Sequence, residues 1–155
     1  MLRGFVILMS VAAVLAAAAG CDGTDRLSKQ EYRARLQAID AQVGRAEEAA
    51  QAAFASGGSL KRLTRAILSW ADAEEQAGNQ LAAVRPPKDA EEANRSLSDA
   101  EKHFAAALRK AAAALKGVRL ADAPTILERE MGSAPAAAQL DRAIAGLKAL
   151  GYAHG

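Results

Sequence analysis

The chain is poor in nearly everything that cross-links a fold or carries common chemistry. Its 155 residues include one cysteine, four prolines, two histidines and aromatic residues at only 4%. A single cysteine excludes an internal disulfide, so no covalent framework holds the chain together. The two histidines, His103 and His154, cannot by themselves complete a metal site, which needs three or four ligands. The paired Glu-x-x-His elements of di-iron helical proteins are missing, because Ala100 stands three residues before His103. There is no Gly-rich phosphate loop, no Cys-x-x-Cys, no c-type haem motif and no Ser/His/Asp arrangement. The chain therefore reads as a non-enzyme that needs no metal and no cofactor. Net charge is also slight, with 20 Lys and Arg against 18 Asp and Glu. A dedicated nucleic-acid binder is usually visibly basic, so no nucleic-acid partner is expected.

What the chain has in quantity is alanine, 41 of the 155 residues. Alanine is the strongest helix former, and strand-favouring residues are sparse after the first 21 positions. The expectation is an all-α fold with a thin core, because alanine buries little surface and helices must approach closely to fill space.

The start of the chain has a different composition. Arg3 is its only charge before Asp22. An uncharged run from Gly4 to Gly20 carries Phe5, Val6, Ile7, Leu8, Val11, Val14 and Leu15, and Ala18-Ala19-Gly20-Cys21 closes it. A cation, an apolar run and small residues in that order make a secretory signal. With cysteine directly after the small residues, the stretch resembles a bacterial lipobox, whose cysteine is diacylated and becomes the new N-terminus. That resemblance implies a lipid on Cys21, attachment to the cell membrane and a place on its extracytoplasmic face. Asp22, acidic and next to the cysteine, resembles an inner-membrane retention signal in bacteria with two membranes. Ala18 stands where the lipobox usually has Leu or another larger aliphatic residue. Two other readings stay open: cleavage after Ala17-Ala18-Ala19, which would leave Cys21 a free thiol, and an uncleaved anchor. The anchor would be marginal, since about 17 residues rich in alanine barely span a hydrocarbon core of ~30 Å. Cleavage before Cys21 leaves 135 residues, one modest domain, with 19 − 18 = +1 net charge.

Residues 1–20 are thus read as signal peptide, 21–27 as tether, 28–151 as a helical bundle domain and 152–155 as tail. Ser28-Lys29-Gln30-Glu31 is a capping box, with Leu27 and Tyr32 placed as its hydrophobic staple. Positions 32, 36, 39, 43, 46, 50 and 53 then trace one helical face until Gly57-Gly58-Ser59. A second helix is predicted from Leu60 to about Val84 on the stripe Leu60, Leu63, Ile67, Trp70, Glu74, Ala77, Leu81 and Val84, stopped by Arg85-Pro86-Pro87. Asp89 is the predicted N-cap of a third helix reaching about Val118, with Leu97, Phe104 and several alanines on its stripe. Asp122 is read as capping a brief helix over 123–131. Ser133 and Pro135 open a last helix carrying Leu140, Ile144, Leu147 and Leu150, with Gly151 as its stop. Three long helices joined by short turns should fold back as an antiparallel bundle, followed by shorter C-terminal helices of which the last covers the open groove as a fourth member. A long-helix homodimer is the alternative, so oligomeric state stays open.

Few residues stand out as candidates for function. Reflection about the two turns brings Trp70 near Gly44 and near His103 and Phe104. Gly44 is read as room for the indole. Trp70 and Phe104 are either a core layer or the lining of a pocket for a small apolar ligand, as in a carrier or sensor. Glu74 on a core stripe is either an irregularity facing water or a buried acid paired with a cation, and no second carboxylate converges on it. Lys61, Arg62 and Arg65 should share the membrane-distal end with Lys116 and Arg119. The latter two suit a helix C-terminus, whereas cations at a helix start are mildly unfavourable. This basic end is a candidate contact for an unknown envelope protein or an anionic envelope polymer.

The single-cysteine lipobox, the helix-opening Leu27-Ser28-Lys29-Gln30-Glu31-Tyr32 and the Arg85-Pro86-Pro87 turn before Asp89-Ala90-Glu91 together carry one further likeness. The chain resembles small Ala-rich helical lipoproteins of high-GC, actinobacterial-type bacteria. That group has no established activity to carry over, so the likeness implies source and compartment only. The expected role is a lipid-anchored interaction or structural module of the cell envelope, with an apolar-ligand carrier as the alternative.

Overall fold

The computed structural model describes residues 26–132 and 135–152. The described chain is all-helical, with five α-helices: α1 Lys29–Ala55, α2 Leu60–Ala83, α3 Glu91–Ala114, α4 Ala123–Gly132 and α5 Pro135–Ala149. Short 3-10 turns precede α3, at Lys88–Ala90, and α4, at Leu120–Asp122. None of these helices is long and apolar enough to cross a membrane. The expected signal peptide, Cys21 and the Ser133 cap lie outside the described residues.

The helix ends follow their local chemistry. Ser28 Oγ accepts from the Glu31 N–H at 3.3 Å while Glu31 Oε2 accepts from the Ser28 N–H at 2.8 Å, closing the capping box. Ser59 caps α2 by accepting from the Arg62 N–H. Gly57 and Gly151 follow the ends of α1 and α5 at φ +59° and +73°, a left-handed conformation that glycine adopts without steric penalty. Asp89 does not cap α3: it sits within the preceding 3-10 turn, and Ala90 occupies the cap position without a side-chain bond. Its carboxylate instead accepts the Tyr152 hydroxyl at 2.7 Å.

Two apolar clusters make up the core. The first gathers Tyr32 and Ile39 of α1, Ala77 and Leu81 of α2, Leu97 and Ala100 of α3, and Ala143, Leu147 and Tyr152 at the end of the chain. The second gathers Leu63, Ile67 and Ala71 of α2 with Phe104, Leu108, Ala112 and Leu115 of α3, together with Ala123 and Ala136. The start of α2 therefore lies beside the end of α3, and the end of α2 beside the start of α3. Among the described helices the α2–α3 contact is the most extensive, followed by α1–α2 and α3–α5.

Three expectations for the C-terminal part need correction. Ile144, 43% exposed, and Leu150, 37% exposed, face solvent, while Ala136, Ala143 and Leu147 face the core. Ala136, Leu140, Ala143 and Leu147 recur in steps of four, three and four and form the inward stripe, which leaves Ile144 outside it, while Leu150 lies past the end of α5. The third helix ends at Ala114 rather than near Val118. Tyr152, expected in a loose tail, is buried against Tyr32 with ring centroids 5.2 Å apart, edge to face. The Arg33 guanidinium donates to the Gly151 carbonyl at 3.0 Å and so fastens the chain end onto α1.

Candidate functional site

The α2–α3 seam is built as a ladder. Each step of three or four residues back along α2 is matched by a similar step forward along α3. Asn94 Nδ2 donates to the Leu81 carbonyl at 3.0 Å, and Ser98 Oγ donates to the Gly78 carbonyl at 2.8 Å. Next come the carboxyl groups of Glu74 and Glu101, both buried and close enough to act on each other. Trp70 and Phe104 follow, edge to face at 5.5 Å between centroids. The backbones close at Gly78 because it has no side chain: a Cβ there would lie 2.8 Å from the Ser98 carbonyl oxygen.

The acid pair is the chemical anomaly of this ladder. Glu74 is 2% exposed and Glu101 8%, values rarely seen for carboxylates without a cation. The Trp70 indole N–H donates to Glu74 Oε1 at 2.7 Å. Oε2 of Glu74 and Oε2 of Glu101 are buried without a hydrogen-bond partner. Burial pushes both carboxyls well above the usual carboxylate range. For Glu101 the adjacent Glu74 carboxyl and the negative charge of Asp40 add to that rise. Two adjacent buried carboxyls do not both ionise readily, so the pair holds one proton between them. The expected choice between a cation-paired and a water-facing Glu74 is thus replaced by a third arrangement, and a second carboxylate does converge on it. Sequence reading missed Asn94, Ser98 and Glu101. Their spacing of four and then three is helical, and the reflection that paired Trp70 with Phe104 would also have paired Glu74 with Glu101.

Gly44 does not make room for the indole, since a Cβ built there meets nothing within 4 Å. Nor do Trp70 and Phe104 line either of two solvent-open surface cavities, of about 330 and 450 Å3. The smaller lies between His103, Lys110, Glu130 and Gln139 over a floor of alanines. The larger is bounded by Leu27, Arg35, Ala83, Val84 and Arg85. The two rings pack on each other instead, with Phe104 buried and Trp70 half-buried. His103 is exposed, and its Nδ1 lies 2.9 Å from Gln139 Oε1. Among the described residues, no group of three or more His, Cys, Asp or Glu side chains is placed to hold a metal ion.

At the end of the molecule where α2 begins and α3 finishes, Lys61, Arg62, Arg65, Lys116 and Arg119 are all exposed. Leu60, Leu63 and Leu115 share the core cluster beneath them. Arg119 is engaged by Asp122 through bonds of 2.8 and 3.1 Å. The other four make no ion pair among the described residues. Comparison of the chain with protein-family models, with curated proteins and with solved structures gives no match.

Proposed function

We propose that the chain is a lipid-anchored, extracytoplasmic module of the cell envelope, an antiparallel helical bundle that works by contact rather than catalysis. The observation that carries this reading is Cys21 behind Ala18-Ala19-Gly20 and a 17-residue uncharged run. The way the domain begins supports it. Five positions after Cys21, Arg26 donates to the Pro86 carbonyl at 3.1 Å and pairs with Glu91 at 2.7 Å, and the Leu27 N–H bonds the Arg85 carbonyl at 2.9 Å. Five residues reach at most about 18 Å, so an acylated Cys21 would hold the Pro86-Pro87 turn close to the lipid surface. With 27 residues, α1 is about 40 Å long and would carry the basic end that far outward. There Lys61, Arg62, Arg65 and Lys116 would meet an anionic envelope polymer or an acidic protein surface.

The test is the intact mass and membrane partition of the native protein beside Cys21→Ser. A diacyl mass increment and membrane recovery, both lost in the variant, are the expected result. An unacylated soluble species beginning near Gly20 would overturn the anchor.

A further inference from the structure

We propose that Glu74 and Glu101 form a single proton-binding site between α2 and α3, and that its proton latches the seam, so that losing it loosens the two helices. Two observations carry this independently of where the protein is anchored. First, each carboxyl keeps a buried Oε2 without a hydrogen-bond partner. A proton lying between the two groups is the one missing donor that satisfies both. Second, the pair lies within the most extensive contact among the described helices, between the Ser98–Gly78 bond on one side and the Trp70–Phe104 pair on the other.

The charges around the pair make a second ionisation unfavourable. From α1, Asp40 acts on Glu101 and Glu47 acts on Glu74, and both are negative. From α2, Trp70 contributes its N–H to Glu74. Lys102, next to Glu101 in sequence, lies along Gly78, and among the described residues no cation is one of the groups acting on either carboxyl. Removing the shared proton would leave two adjacent buried anions with one indole donor between them. Such a pair is relieved by admitting water, which requires α2 and α3 to part.

The sign of the effect follows. In the unfolded chain Glu101 titrates near 4.5, whereas in the fold its proton is held to higher pH. The latch therefore contributes in full below about pH 4.5 and is lost as pH rises toward the raised value. In that window each pH unit shifts the folding equilibrium up to about tenfold toward the unfolded chain for one differential proton.

The full chain in detergent micelles provides the test, as wild type and as Glu101→Gln, whose amide can still donate to Glu74 without titrating. The infrared carboxylic-acid band at pH 7 is expected in the wild type and reduced in the variant. The denaturation midpoint of the wild type should fall with rising pH more steeply than that of the variant. Emission of Trp70, the only tryptophan, should follow the same titration in the wild type alone. Absence of the band at pH 7, or parallel pH–stability curves, would overturn the proposal. If Glu101→Gln does not fold, the wild-type band and the Trp70 titration decide it, and their absence has the same force.

Discussion

Asn94 links three helices, and its surroundings show how much one polar side chain can organise. It accepts the Tyr32 hydroxyl of α1 at 3.0 Å while donating to the Leu81 carbonyl of α2. Both side chains are buried, so Tyr32→Phe leaves Asn94 Oδ1 without a donor. Stability should fall by about 1–3 kcal/mol, read as a lower denaturant midpoint at unchanged slope. The acid pair behaves differently. Glu101→Leu alone leaves Glu74 buried with only the indole donor and should destabilise. Glu74→Leu combined with Glu101→Leu removes both buried acids and leaves only the indole N–H of the half-buried Trp70 to find another partner. Replacing a buried polar pair by apolar residues is often neutral or stabilising by about 1–4 kcal/mol, so the double variant should be no less stable than the wild type and lack the pH dependence. A double-mutant cycle at two pH values checks both statements. Glu74 stood out in the sequence as a charge on a core stripe, but Asn94, Ser98 and Glu101 did not, because a lone Asn, Ser or Glu on a helix usually faces water. Only their register against α2 sets them apart.

At the scale of the helix, two glycines make opposite predictions. Gly44 lies inside α1 with open space where a Cβ would go. Gly44→Ala should therefore stabilise by about 0.5–1 kcal/mol through helix propensity alone. Gly78 is buried in the seam, and its Cβ would meet both the Ser98 carbonyl oxygen and the Lys102 Cγ at 2.8 Å. Lysine can move aside, but the backbone carbonyl cannot without separating α2 from α3. Gly78→Ala should cost about 1–3 kcal/mol and weaken the Ser98 bond, with thermal unfolding of the two variants bracketing the wild type. The sequence displayed the helices well, because stripes at steps of three and four, the Ser28 and Ser59 caps and the Pro86-Pro87 stop are all local signals. It could not display which small residue marks a close approach. Gly44 and Gly78 look alike on paper, and only the path of a neighbouring backbone separates them. The position of Tyr152 was equally hidden, since one aromatic residue after the last helix has no period to reveal it.

For the molecule as a whole, the open matter is what the basic end contacts. Lys61 and Arg62 stand in the first turn of α2, where the helix dipole disfavours cations, and no acidic residue shares that turn. Their exposure and the lack of ion pairs mean that nothing within the described fold compensates the placement. A stability role would predict that neutralising them is harmless or mildly favourable. Lys61→Gln, Arg62→Gln and Arg65→Gln together should leave the unfolding midpoint unchanged or slightly higher. If this end engages an anionic polymer or an acidic protein, the same triple variant should lose association with isolated envelope material. The wild-type association should weaken as ionic strength rises, since exposed charges are screened over about 8 Å at physiological salt. Association that persists in the triple variant, or that ignores salt, would remove the basic end from consideration. The Arg35-lined cavity beside Leu27 and Val84, at the opposite end of α1, would then be the next surface to probe.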